Sequence, residues 1–200
     1  MSISKATLER LPQYLRILRD KQKTNIKTIS STDIANELKL NSVQVRKDLA
    51  FVSKNEGKPK IGFEVNELIK DIEEFLGLKN EKDVIIVGAG RLGQALMNYS
   101  GFENDIHILM AFDKDLKKCN EKSIFYIDEL ENRLKNLKIH VGIITVPKEE
   151  AQEVCDKMIY CGIKAIWNFA PINLKVPENV KIKNEDLSAS LAVLLNGIGF

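Results

Sequence analysis

Three glycines, Gly88, Gly90 and Gly93, stand in G-x-G-x-x-G spacing directly after the apolar strand formers Val84, Ile85, Ile86 and Val87, and a run of helix formers follows. That setting suits one chemistry, the holding of a dinucleotide pyrophosphate. Gly88 allows the tight turn, Gly90 lets the backbone approach the phosphates, and Gly93 lets the helix pack on the strand. The helix N-terminus adds free N–H groups and positive dipole. A second apolar run, residues 106–112, ends in Asp113, 20 residues beyond Gly93. A carboxylate there accepts the adenosine ribose hydroxyls and repels a 2′-phosphate, which favours NAD(H) over NADP(H).

These residues need a scaffold, and the chain supplies one. After Asp113 come an apolar piece at 124–127, a helix near 128–137, and a strand at 139–146 that stops at Pro147. A helix at 148–161, a strand at 165–167 and a loop from Asn168 to Pro171 complete the alternation. Strands alternating with helices imply a parallel sheet whose ligand lies beyond the carboxyl ends of the strands. Gly88, Asp113, the Thr145-Val146-Pro147 turn and Asn168–Pro171 are therefore expected to face one crevice. Thr145 and Asn168 read equally as polar ligand contacts or as turn chemistry. For hydride transfer a positioned acid or base is needed. His107 lies within one strand and His140 near the start of another, so both read as structural. Only about 30 residues follow Asn168, ending in an apolar helix at 187–195, which leaves little room for a substrate domain. A small NAD-dependent oxidoreductase with a basic assembly domain and a nucleotide-binding scaffold remain as alternatives.

Of the 200 residues 44% are hydrophobic, yet no apolar run reaches the length of a membrane span, and the first residues lack a signal-peptide core. Cys119, Cys155 and Cys161 are odd in number and lack C-x-x-C spacing. They read as free thiols of a reducing, cytoplasmic compartment, with no metal site. The net charge of +2 hides an asymmetry. Residues 1–60 hold 13 Lys and Arg against 6 Asp and Glu, while the remainder is mildly acidic. A basic front on an acidic body suits a nucleic-acid-binding module joined to another domain.

Within that front, Leu8, Leu11, Leu15 and Leu18 recur at helical spacing over residues 4–22, with Pro12 marking a kink or a late start. Ser31 to Leu38 opens with hydroxyl caps, Leu40-Asn-Ser42 makes a turn, and Val43 to Val52 forms a third helix. Val45, Leu49 and Val52 share one face of it, while Gln44, Arg46, Lys47 and Ala50 lie away. This is a helix-turn-helix pattern, with Ser42, Gln44, Arg46 and Lys47 as candidate DNA contacts. Gly57 to Val65 reads as a β-hairpin wing whose tip carries Lys58 and Lys60. Asn66 is expected to cap a further helix that Gly77 ends, and the polar stretch Lys79–Asp83 is the expected boundary.

Taken together, these segments resemble the Rex family of bacterial redox-sensing repressors over nearly the whole chain. The resemblance is carried by Tyr14-Leu-Arg-Ile-Leu18, Gln44-Val-Arg-Lys-Asp-Leu49, Gly88-Ala-Gly-Arg-Leu-Gly93, Tyr99-Ser-Gly-Phe102 and Phe112-Asp-Lys-Asp115. Thr145-Val-Pro147, Gly162-Ile-Lys164, Asn168-Phe-Ala-Pro171 and Glu185-Asp-Leu-Ser188 continue it. It implies an N-terminal winged helix-turn-helix at 1–80, a Rossmann-type parallel sheet at 81–184, and a swapped dimerisation helix at 185–200. It further implies a homodimer on an inverted-repeat double-stranded operator, competitive binding of NADH and NAD, release of DNA by NADH, and no catalytic step. The implied cofactor contacts are Gly88, Ala89, Gly90, Arg91, Leu92, Gly93, Asp113, Thr145, Val146, Pro147, Asn168, Phe169 and Ala170. Arg16, Tyr99 and Asp186 match the family's switch, an Asp exchanging between an Arg and a Tyr hydroxyl. Two departures stand out. Phe51-Val-Ser53 replaces a Tyr-Phe-Gly-like stretch, and Pro59-Lys-Ile-Gly-Phe63 replaces an Arg/Gln-Gly-x-Gly-Tyr wing. Lys58 and Lys60 then stand in at the wing, with the same operator class but a weaker or shifted preference at flanking A·T positions expected.

Overall fold

A computed structural model of the chain describes residues 3–55, 57, 58, 61–78, 82–120 and 122–196. The chain divides into two compact units, residues 1–80 and 81–200. Among the described residues no helix is long and apolar enough to cross a membrane.

The first unit opens with α1 (Lys5–Lys23), where Ser4 accepts the Thr7 N–H as a cap. The helix begins well ahead of Pro12, so the late start is not found. Its inner face carries Leu11, Tyr14, Leu15, Ile17 and Leu18 into the core, while Leu8 stays exposed. After β1 (Thr28–Ile29), α2 (Ser31–Leu38) starts at a reciprocal box between Ser30 and Asp33. Lys39 then turns left-handed, at φ 54°, and releases the chain into α3 (Ser42–Val52). Asn41 caps α3 by accepting the Val43 and Gln44 N–H groups. Val45, Leu49 and Val52 are buried, and Gln44, Arg46, Lys47 and Ala50 are exposed, the split the helical wheel predicts. β2 (Phe63–Glu64) pairs antiparallel with β1, and Lys58 bridges Gly62 below it. Of the expected wing tip, Pro59 and Lys60 lie outside the described residues.

α4 (Val65–Leu76) corrects one expectation. Glu64 caps it, its carboxylate accepting the Glu67 N–H at 2.7 Å, while Asn66 sits inside the helix and accepts from Gln22. Strand pairing with Thr28 holds Glu64 extended just ahead of the first helical residue, and its side chain reaches the third amide. Gly77 ends the helix in the left-handed region, as expected.

The second unit holds six parallel strands in the order β5-β4-β3-β6-β7-β8. In chain order these are β3 (Lys82–Val87), α5 (Arg91–Met97), β4 (Ile106–Asp113), β5 (Ile124–Tyr126), α6 (Leu130–Leu134), β6 (Val141–Ile144), α7 (Lys148–Tyr160), β7 (Ala165–Asn168), β8 (Lys181–Asn184) and α8 (Leu187–Leu195). Alternate side chains of β3 feed separate cores. Ile85 and Val87 join Phe112, Leu130 and Ile144 in one, and Val84 and Ile86 join Ala111 and Ile143 in another. Both faces of the sheet are thus covered, as parallel strands require. The strand order reverses between β3 and β6, which opens a crevice at their carboxyl ends.

Three details depart from the sequence reading. β6 begins at Val141 and leaves Ile139 and His140 in a loop. The helix expected at 128–137 is a 3-10 turn, Ile127–Glu129, followed by the short α6. β8 was not expected, because Lys181-Ile-Lys-Asn184 is a polar edge strand without an apolar run. α8 keeps its expected bounds and is apolar, yet Leu187, Leu191, Val193, Leu194 and Leu195 are all exposed.

One buried charge ties the first unit together. The Asp48 carboxylate, on α3, accepts from Thr7 Oγ1, from Arg10 Nε and Nη2, from Tyr14 Oη at 2.7 Å and from Gln44 Nε2. Burial pushes its pKa up, but the bonds from Arg10, Tyr14 and Gln44 outweigh burial and hold it below the usual value. The same network raises Tyr14, chiefly through burial, to about 12. Asp48→Ala leaves the guanidinium and the phenol unpaired, so it should cost this unit ~3–5 kcal/mol in chemical denaturation. Since the folded carboxyl titrates below its unfolded value of about 3.9, the penalty should be full above that pH. It should shrink as pH falls through the folded value. A loss under about 1 kcal/mol at neutral pH would show that the network is not structural.

Candidate functional site

The glycine turn is locked from two sides. Gly88 sits at φ 107°, where a side chain is strained, and a Cβ there would lie 2.8 Å from the Thr145 carbonyl. Its N–H bonds Phe112 O, and its carbonyl accepts Thr145 Oγ1 at 2.6 Å. A Cβ at Gly93 would collide with the Gly88 carbonyl oxygen, so α5 packs on β3 only with glycine there. Gly90 differs, since a Cβ there meets nothing within 4 Å. It caps α5 without a side-chain bond and borders a cavity of about 560 Å³. Two of the glycines build the turn, and the third leaves room for something else.

Asp113 lines that cavity and is 6% exposed. Its Oδ2 accepts the Ala89 N–H at 2.7 Å and the Lys118 ammonium at 3.0 Å, and its Oδ1 accepts the Asp115 N–H at 2.9 Å. Burial raises its pKa, but the Asp115, Lys118 and Ala89 donors together hold it below the ordinary value. The group is therefore ionised at neutral pH. A carboxylate has about four lone-pair sites, so a diol that displaces Lys118, half-exposed on the rim, finds two acceptor positions free. Val146 and Pro147 line the same cavity, with Ile127 and Val154 supplying apolar wall. Lys114 pairs with Glu150 and Lys157 with Asp128 around it.

The structure brings Gly88, Gly90, Asp113, Thr145, Val146 and Pro147 to one cavity. It places the other expected contacts elsewhere. Ala89 and Gly93 are buried in the turn, Arg91 is exposed on α5, and Leu92 is half-buried. Asn168 is fully buried, and its amide bonds Ala170, Ile172 and Asn184. It holds the loop that presents Phe169, half-buried against Trp167, and Ala170, which is buried. Thr145 also does turn work, through Gly88. Asp186 caps α8 by accepting the Ala189 N–H, and Tyr99 is exposed and edge-on to Phe102. Sequence reasoning missed Lys118, which belongs to no motif; only its place five residues beyond the acid hinted at contact.

On the first unit, Ser42, Gln44, Arg46 and Lys47 follow one another at the start of α3, half-buried at Ser42 and exposed at the rest. Gln44 is held by Asp48, which fixes its rotamer. Its second amide hydrogen and its carbonyl oxygen remain for an adenine edge. Arg16 lies on the exposed side of α1. Cys119, Cys155 and Cys161 are free, and burial raises all three thiols, Cys155 to about 11. They stand as neutral thiols at neutral pH.

Comparison with known proteins agrees with this division. A family model for the N-terminus of putative DNA-binding proteins matches residues 2–50, and a CoA-binding-domain model matches residues 79–172. The redox-sensing transcriptional repressor Rex of Treponema denticola is 44% identical over 94% of this chain and 91% of its own length. That of Clostridium beijerinckii is 41% identical over 97% and 94%. The crystal structure of RSP, a Rex-family repressor, in complex with NAD⁺ and operator DNA is 35% identical over 97% of this chain and 91% of that one, with a TM-score of 0.88. RSP with NADH superposes with a TM-score of 0.83 at the same identity. The oxidoreductase and scaffold alternatives are displaced by this agreement over both units. The chain belongs to the Rex family and is a redox-sensing transcriptional repressor, not an enzyme.

Proposed function

We propose that the chain binds an inverted-repeat operator as a homodimer in the cytosol, and that NADH, competing with NAD⁺ for the crevice, releases it. The observation that carries this reading is the open face of Gly90 beside the ionised Asp113, in a cavity of ligand size. The relatives' name and the RSP complexes with NADH, and with NAD⁺ and operator DNA, support it. Gly88, Ala89, Gly90, Arg91, Leu92 and Gly93 take the pyrophosphate, Asp113 the ribose, and Thr145 to Pro147 with Asn168 to Ala170 the remaining half. Ser42, Gln44, Arg46 and Lys47 enter a major groove, while Lys58 and Lys60 touch backbone at the wing. Arg16 and Tyr99 compete for Asp186. α8 is covered by the partner copy, which accounts for a helix of leucines standing in solvent. Residues 1–80, 81–184 and 185–200 thus bind DNA, bind cofactor and join subunits. A useful switch needs ~1–3 kcal/mol of coupling, and DNA must then weaken NADH by the same factor.

Asp113→Ala should abolish release by NADH while operator affinity in gel shift stays unchanged. Gly90→Val should do the same without loss of thermal stability, since its side chain enters empty space. Release at the wild-type NADH concentration in both variants would remove this crevice as the sensor. Arg46→Ala should weaken operator binding by ~1–3 kcal/mol and relax base choice at one position. Undiminished discrimination between matched and mismatched operators would reassign that contact. Leu191→Glu should convert dimer to monomer in sedimentation, and a dimer of wild-type stability would deny α8 its role.

A further inference from the structure

We infer that Trp167 is a positioning residue that carries the state of the cofactor crevice to α8, through the hydrogen bond from its indole Nε1 to Glu185. The inference rests on the function proposed above and adds a residue to it. Trp167 stands where three functional segments meet. Its ring packs on Phe169, of the cofactor loop, with centroids 4.6 Å apart. On another side it meets Phe102 at 6.2 Å, and Phe102 meets Tyr99 at 5.0 Å. Its Nε1 donates to Glu185 Oε1 at 3.0 Å. Glu185 immediately precedes Asp186, the cap of α8.

The connection from the end of β7 to the helix is short and polar. Glu185 N–H bonds Asn168 O at 2.8 Å, and Asn168 Nδ2 bonds Asn184 Oδ1 at 2.9 Å. Lys183 Nζ pairs with the same Glu185 oxygen, Oε1, at 3.1 Å. Residues 184–186 are therefore strapped to the end of β7, with a cavity of about 140 Å³ between them and the 170–173 loop that gives the strap room to shift. Adenosine over the β4 end puts the other half of a dinucleotide across β3 and β6 toward β7. That is three strand spacings, about 14 Å. A ring arriving there presses on Phe169 and hence on the indole. The charge-assisted bond to Glu185 then transmits the shift to Asp186, because it is directional where the ring contacts are not.

The test uses the full-length protein and an operator duplex selected from random-sequence DNA. Operator affinity is measured without and with saturating NADH, so the ratio equals the coupling factor. NADH binding to the free protein is measured separately by calorimetry. Trp167→Phe keeps a ring and deletes the donor, and it should lower the ratio by about tenfold, the worth of one hydrogen bond to a charge. NADH affinity should change by less than about threefold. Glu185→Ala, which leaves β7 intact, should give the same loss, and the double variant should lose no more than either single. Glu185→Gln keeps an acceptor oxygen but not the charge, so it should lower the ratio by less than Glu185→Ala does. Single variants that keep the wild-type ratio, or a double variant whose losses multiply, would overturn the Trp167 link alone. A wild-type ratio near one would instead overturn the functional reading on which it rests.

Discussion

The cofactor half of this molecule depends on keeping one carboxylate charged where water hardly reaches it. An acid 6% exposed stays ionised only if donors converge on it. The donors at Asp113 are two backbone N–H groups and Lys118. The Ala89 N–H arrives there because Gly88 turns the chain at φ 107° while Thr145 holds its carbonyl. The charge thus ties the glycine turn to the end of β4, and Thr145 ties the same turn to the end of β6, before any ligand arrives. Preorganisation of this kind lowers the cost of binding. Lys118, the only one of the three donors on a flexible side chain, is the one a ribose can replace.

The DNA-binding unit solves a different problem with the same device. In the proposed operator complex α3 must hold a defined angle while presenting polar side chains to a groove. Asp48 anchors it to α1 through Thr7, Arg10 and Tyr14, and extends to Gln44 on the outer side. Well-packed apolar residues in these places would often be at least as stable. What the network adds is direction, since each bond fixes an angle and a rotamer. Among the described residues no buried side-chain polar atom lacks a partner, which is what buried polar networks require.

Much of this was legible in the sequence, because the strongest signals are local. The glycines, the β3 run before them and the acid 20 residues later all lie in one supersecondary unit. The wheel split of α3 needed only eleven residues. What stayed hidden depends on partners far along the chain. Nothing local marks Asp48 as buried, because Arg10 and Tyr14, which hold it, lie 38 and 34 residues away. Asn168 reads equally as a ligand contact or as turn chemistry, and only β8 supplies the Asn184 side chain that fixes its amide. β8 itself escapes because an edge strand can be polar, its stability coming from ladder bonds to β7. Trp167 reads as a strand residue because nothing local announces that Glu185 lies across the pairing. The Asn66 expectation failed for a smaller reason: Glu64, two residues earlier, caps the helix by accepting the Glu67 N–H, which leaves Asn66 inside it.

Magnitudes separate the parts of the assembly that hold from the parts that switch. In the homodimer proposed above, burial of Leu187, Leu191, Val193, Leu194 and Leu195 against the partner copy would be worth roughly 1.5–3 kcal/mol for each side chain. Even discounted for incomplete burial and lost motion, that sum exceeds the ~1–3 kcal/mol available from a ligand's differential affinity. NADH binding can therefore not dissolve such a dimer; it can only choose between two arrangements of it. The choice must be made by contacts whose individual worth matches the coupling. Hydrogen bonds to charged groups, at ~1.5–3 kcal/mol, are of that size. Asp186 and Glu185 place such groups immediately ahead of the first turn of α8. On the proposed reading the leucines set the association, and the two acids ahead of them set its geometry.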